Sequence, residues 1–220
     1  MSLLFAATTI NYIDRQILSL IKPILDEELQ WSNEEFGLVN SAFQGAYAIG
    51  LLFFGWFVDK FGEKIGYTVS IVSWSVAAMG HAAVSSVTGF FVARTALGLG
   101  EAGNFPAAIK TVSEWFPTKE RALAIGIFNS GSNIGAILAP LMVPVIAIKW
   151  GWQWAFIITG AIGFIWLAFW LAIYRRPEDH PRLSQEERSY ILGAREAPEP
   201  KTPWIQLIAK KETIAFALAK

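Results

Sequence analysis

Four ionisable residues sit inside long apolar stretches: Asp14 and Arg15 near the start of the chain, and Arg94 and Glu101 near its middle. A charge at the centre of a bilayer costs on the order of 3 kcal/mol on insertion scales, so such residues need partners or a wet cavity. A carboxylate in such a place can take up and release a proton. A guanidinium can grip an anion through two parallel hydrogen bonds. The chemistry implied is the passage of an ion or an anionic substrate. The structural alternative is a pair of ion pairs that only fix helix packing.

Spacing adds polar neighbours to these charges. Asn11, Tyr12, Asp14 and Arg15 fall at i, i+1, i+3 and i+4, so Asn11 stacks over Asp14 and Arg15 on a helix. Arg94, Gly98 and Glu101 share one helical face, and Gly98 leaves room there for another helix. Gly100 and Gly103 loosen the same region, and Pro106 removes a hydrogen bond at the next turn. Asn40, Gln44 and Tyr47 form a third stripe. Asn129, Ser132 and Asn133 form a fourth, with Gly131 and Gly135 nearby. Any one stripe reads equally well as interhelical hydrogen bonding. Four together describe the wall of a hydrophilic cavity.

The elements that must carry these stripes follow from composition. Of 220 residues, 54% are hydrophobic and only 16% charged, and mean hydropathy is +0.41. Lys+Arg and Asp+Glu balance at 18 each, which excludes a basic nucleic-acid binder and an acidic disordered tail. There is no Cys, and His81 and His180 lie far apart, so no disulfide framework, metal site or cofactor is expected. Apolar runs of about 20 residues match the length of a helix that crosses a bilayer. They predict an all-α membrane protein with six spans, near 3–24, 36–58, 66–87, 89–112, 122–148 and 154–174. Residues 1–174 are expected to form one six-helix bundle and the charged, proline-containing stretch 175–212 a cytoplasmic linker. Residues 213–220 read as the start of a seventh helix, so the chain reads as a fragment.

Orientation follows the basic residues. One set of loops holds only Lys22 and Lys149. The alternate set holds fourteen, from Lys60, Lys64, Lys110, Lys119 and Arg121 to the nine between Arg175 and Lys220. The N-terminus and the linker are therefore expected on the cytoplasmic side. Spans 1 and 4 each carry one acid and one Arg, and each opens a group of three spans. An odd number per group gives the two groups opposite orientation, which fits an inverted 3+3 repeat of the kind seen in secondary transporters. Trp115, Trp150, Trp152 and Trp154 read as interface anchors.

The stretch GWFVDKFGEK, Gly55 to Lys64, resembles the loop between helices 2 and 3 of the major facilitator superfamily. Gly55, Asp59, Lys60, Gly62 and Lys64 match that pattern, and Glu63 stands where a basic residue is usual. RTALGLGEAGNFPAA resembles helix 4 of the superfamily, and GSNIGAILAP its helix 5. NYIDRQ, GEAGNFPAAIKTVSEWFP, KERA, GWQWAF and PEDHPRLS are similar to its anion:cation symporters, hexuronate transporters above all. The resemblance runs from about Leu4 to Lys220, and such proteins have twelve helices, so it covers an N-terminal half.

The resemblance implies an inner-membrane, multi-pass symporter of a sugar-acid anion and protons in bacteria, completed by a C-terminal six-helix half. It places the substrate carboxylate on Arg15, with Tyr12, Tyr47 and a helix 5 residue, Ser132 or Asn133, as further substrate contacts; Gln44, in the same polar stripe as Tyr47, is a further candidate contact. It makes Asp14 and Glu101 the proton-coupling acids, with Arg94 as their pairing partner. Gly55, Asp59, Lys60, Gly62 and Lys64 become a gate, in which Asp59 meets the other half in one state only. The adjacency of Asp14 and Arg15 suggests a competition: ionised Asp14 neutralises Arg15, and protonation frees Arg15 for the substrate. Another organic anion, such as an aldonate or a dicarboxylate, is the alternative cargo. A non-transporting membrane scaffold is the alternative class. No catalytic residues are expected: Asp14 is the one deep Asp, and the Gly-Ser of span 5 has no His at matching depth.

Overall fold

The computed structural model describes residues 1–193 and 211. The proposed start of a seventh helix and most of the distal linker lie outside the described residues. The helices are α1 (Ser2–Leu20), α2 (Lys22–Leu29), α3 (Asn33–Phe61), α4 (Glu63–Gly80), α5 (Val87–Glu101), α6 (Asn104–Trp115), α7 (Thr118–Asn129), α8 (Gly131–Trp150), α9 (Trp152–Ile173) and α10 (Gln185–Gly193). The stretches Asn33–Phe61, Thr118–Trp150 and Trp152–Ile173 are each long and apolar enough to cross a membrane.

Three of the six expected spans are interrupted. Span 1 stops at Leu20, and Pro23 opens α2 in its first turn, where a missing N–H costs nothing. The acidic stretch that joins spans 1 and 2, with Asp26, Glu27, Glu28, Glu34 and Glu35, is therefore largely helical. Lys22 and the Trp31 indole each bond Asp26 at 2.6 Å. Span 4 divides into α5 and α6 at Ala102 and Gly103. Span 5 divides at Ser130, where backbone hydrogen bonds almost bridge the break. The third span ends in a 3-10 turn, His81–Ala83. α3 starts at a capping box between Ser32 and Glu35.

The most extensive helix pairings are α3 with α5, α1 with α8, and α4 with α9, that is, spans 2·4, 1·5 and 3·6. Exchanging spans 1–3 with spans 4–6 turns the 1·5 pairing into 4·2 and leaves 3·6 unchanged. The pairings thus obey the two-fold relation that an inverted repeat requires. Glycines set the close approaches, Gly98 and Gly135 among them. A Cβ on Gly98 would strike the Phe43 carbonyl of α3, and one on Gly135 would lie 2.6 Å from the Thr9 carbonyl of α1.

Tyr67 donates to Asn104 Oδ1 at 2.7 Å, and Asn104 reaches Thr8 at 3.5 Å, joining α4, α6 and α1 through buried polar groups. The Trp166 indole donates to the Leu3 carbonyl at 2.8 Å. Trp150 and Trp154 are exposed, as interface anchors should be. Trp152 is not: it is buried, and its indole N–H donates to Glu28 at 2.9 Å, because α2 folds back over the end of α9. His81 is likewise buried, stacked on Phe156 at 4.6 Å.

Candidate substrate site

α1 and α5 bring their charges together inside the bundle, but not in the expected pairs. Arg15 Nε donates to Glu101 Oε2 at 2.8 Å. Glu101 is fully buried, whereas the Arg15 side chain keeps 20% of its surface. The adjacency of Asp14 and Arg15 in sequence does not make them partners. Successive helical residues point about 100° apart, so when Arg15 faces α5, Asp14 faces elsewhere. Asp14 is buried, its carboxylate oxygens make no hydrogen bond among the described residues, and its electrostatic neighbours include Thr159, Glu101 and Arg94.

Arg94 does not form the expected ion pair with Glu101. Its guanidinium reaches the Arg15 carbonyl at 3.4 Å. Glu101 stands two turns further along α5 and is claimed by Arg15; Arg94 is buried as a second positive charge. Asn11, also buried, stands close to Glu101, with neither amide atom hydrogen-bonded among the described residues.

Aromatic faces surround the Arg15 guanidinium. Its carbon lies 4.3 Å from the Tyr47 ring centre, 5.0 Å from Tyr12 and 5.5 Å from Phe43. Phe43 also sits 5.6 Å from the Arg94 guanidinium and stacks on Tyr47. Sequence reasoning missed Phe43. Its signal was the i−4 position before Tyr47, which reads as ordinary apolar packing until both arginines are seen to flank it. The rings leave the cation attractive and partly desolvated, which strengthens a hydrogen-bonded contact with an anion.

The remaining expected contacts lie at the margin. Gln44 and Asn133 are exposed on α3 and α8. Ser132, in the first turn of α8, donates to the Asn129 carbonyl at the end of α7 at 2.7 Å, which commits its proton and leaves its lone pairs free. None of the three has a hydrogen bond to Arg15 among the described residues. Tyr12 is carried next to α8, its Cβ within 2.8 Å of where a Gly135 Cβ would stand.

The helix 2–3 segment lies at the opposite end from Trp152 and α2. Gly62 takes φ +85°, which forms the tight turn between α3 and α4. Asp59 is largely exposed, with Lys110 3.8 Å away. Lys60 lies over Trp56 and Phe61, at 4.9 and 5.3 Å. Lys64 donates to the Tyr174 carbonyl at 3.1 Å. Glu63, the residue that departs from the pattern, is fully buried. It accepts from Arg176 Nε at 2.9 Å, Arg176 Nη2 at 3.2 Å and the Tyr174 hydroxyl at 2.9 Å.

The Major Facilitator Superfamily model matches residues 4–219. The chain belongs to the major facilitator superfamily. It is 40% identical over 190 residues to the galacturonate transporter of Dickeya chrysanthemi, covering 86% of this chain and 55% of that protein. It is 41% identical over 196 residues to the hexuronate transporter of Escherichia coli K12, covering 89% and 45%. The D-galactonate transporter of Escherichia coli O6:H1 is 33% identical over 220 residues, covering 97% and 51%. The chain spans about half the length of these curated relatives. Among solved structures, the inward-open xylose transporter XylE of E. coli superimposes with a TM-score of 0.71 at 15% identity, over 99% of this chain and 54% of that one. A bacterial homologue of the lysosomal transporter Spinster, inward-facing and unoccupied, gives 0.72 at 22%, over 99% and 48%. The fold is that of a multi-pass membrane transporter of this superfamily, whose members are not enzymes.

Proposed function

We propose that the chain is the N-terminal half of a proton-coupled symporter for a sugar-acid anion, a hexuronate such as galacturonate or glucuronate, working by alternating access. The observation that carries this is the ion pair of Arg15 and Glu101, held among three aromatic rings with a second arginine beneath. Residues 1–174 are the bundle, 175–212 the linker to a second six-helix half, and 213–220 the entry to helix 7. The end bearing Lys60, Lys64, Lys110, Lys119 and Arg121 faces the cytoplasm of a bacterium.

The competition runs through Glu101 instead of Asp14. Ionised Glu101 occupies the guanidinium of Arg15. A proton on Glu101 removes that claim, and the substrate carboxylate takes its place in the bidentate geometry that an arginine offers. Proton and anion binding then favour each other, which is symport. Asp14 is a second proton site: with both acids ionised Arg15 and Arg94 only balance them, and each proton taken up leaves the pocket one charge more positive for the anion. Tyr12, Tyr47, Gln44, Ser132 and Asn133 serve the sugar hydroxyls.

The test uses the complete carrier, this half with its C-terminal partner, in proteoliposomes. Arg15→Lys abolishes galacturonate binding. Glu101→Gln retains galacturonate counterflow and loses accumulation driven by a proton gradient. Full proton-driven uptake by Glu101→Gln ends the assignment. A second cargo is favoured by a specific likeness: a galactonate transporter and probable galactarate/D-glucarate transporters stand among the relatives at 33% and 38% identity. Competition of each acid against labelled galacturonate separates these readings.

A further inference from the structure

Where α9 gives way to the linker, the chain builds a pocket of about 240 Å³, remote from Arg15 along the bundle. Ala172 and Ile173 line it on the helix side, and Arg175, His180, Pro181 and Arg182 on the other. No carboxylate lies among these described lining residues. Arg175 Nη1 donates to the carbonyls of Leu171 at 3.0 Å and Tyr174 at 2.8 Å, so the end of α9 holds the guanidinium in place through one nitrogen. The amide of Arg182 donates to His180 Nδ1 at 3.4 Å. His180 in turn stands edge-on to Trp115, ring centres 5.2 Å apart, which fixes the loop carrying Arg182 against α6.

The helix wall of this pocket continues an apolar stripe. Ile165, Phe169 and Ile173 recur at i, i+4 and i+8 on α9, each more than half exposed. The stripe ends at the two guanidinium groups. An apolar track that terminates in clustered cations at one end of a membrane bundle complements an amphiphile with a negative head. We propose that this is a binding site for an anionic phospholipid, with the phosphodiester between Arg175 and Arg182 and an acyl chain along Ile173, Phe169 and Ile165. Two guanidinium groups suit phosphate because each presents parallel donors. The continuous stripe decides for a lipid over a free phosphate ion, which has no use for it. The proposal rests on the membrane setting of the chain, not on which anion is carried.

The test is native mass spectrometry of the full chain, delipidated in detergent and titrated separately with dioctanoyl phosphatidylglycerol, dioctanoyl phosphatidylcholine and inorganic phosphate. Phosphatidylglycerol is expected to bind about 30-fold more tightly than phosphatidylcholine, about 1 kcal/mol for each of the two arginines near the headgroup. Arg182→Gln, at an exposed side chain, lowers that preference about five-fold, and Arg175→Gln/Arg182→Gln removes it. Lys119→Gln, exposed at the same end of the bundle, leaves it unchanged. Equal binding of the two lipids overturns the proposal. So does an unchanged preference in the double variant, an equal loss in Lys119→Gln, or inorganic phosphate displacing phosphatidylglycerol at matched concentration. None of these outcomes bears on galacturonate counterflow.

Discussion

Arg15 faces a carboxylate from its own chain with aromatic faces on three sides, and each neighbour has a separable part. Tyr47 offers both a ring and a hydroxyl. In the complete carrier, Tyr47→Phe is expected to weaken galacturonate binding several-fold, the loss of one hydrogen bond worth about 1 kcal/mol. Tyr47→Ala removes the ring as well and costs about 1 kcal/mol more, the cation–π share at a partly desolvated site. Calorimetry of both variants checks this, and equal losses would mean that the ring contributes nothing. The charged residues of this site were legible in the sequence because an apolar run makes a charge conspicuous. Their partners were not. Helical spacing fixes which residues of one helix share a face, but the rotation of α1 against α5 is a product of packing. That rotation gives Glu101 to Arg15, turns Asp14 away from Arg15 towards Thr159, and turns Arg94 to a backbone carbonyl.

At the scale of elements, close approach between helices positions the site. Gly135 lets α8 lie on α1 beside Tyr12, and a larger residue must move one of them. Gly135→Val places a Cβ 2.6 Å from the Thr9 carbonyl, a backbone atom that cannot yield as a flexible side-chain tip would. Thermal unfolding in detergent is expected to show a midpoint lowered by several degrees, with weaker substrate binding in whatever folds. Gly126 is the contrast. A Cβ there meets nothing within 4 Å, and the residue lies inside α7. Gly126→Ala is expected to raise stability by about 0.5–1 kcal/mol through helix propensity alone. Six apolar runs were enough to anticipate the bundle, and Gly100, Gly103 and Pro106 marked the break in span 4. The fold-back of α2 was not visible. Its acidic residues carry no apolar pattern, and what holds them, the indole donors of Trp31 for Asp26 and of Trp152 for Glu28, comes from packing.

At the scale of the whole molecule, the bundle is tied to the segment that follows it through one buried acid. Glu63 begins α4, and Arg176 and Tyr174 close on it from the end of α9. α10 is fastened to α7 by the Tyr190 hydroxyl on Glu120 at 2.8 Å. Burial by itself raises the pKa of Glu63. The hydrogen bonds from Arg176, the backbone and Tyr174 outweigh it and hold the group below its ordinary 4.5. A carboxyl with a depressed folded pKa stabilises the closed arrangement fully above that ordinary value, and loses the contribution as pH falls through the lower folded value. The protection of amides across residues 176–193, taken relative to the intrinsic exchange rate at each pH, is therefore expected to be high at pH 6 and to fall as the pH drops below about 4. Glu63→Gln keeps the shape of the side chain and removes its charge. The same segment should then exchange faster at pH 6, with a flatter response to acid. Arg176→Gln should match it, because either change breaks the same pair. If both variants exchange like the parent across the whole range, the join between bundle and linker lies in α10 and its contact with Glu120.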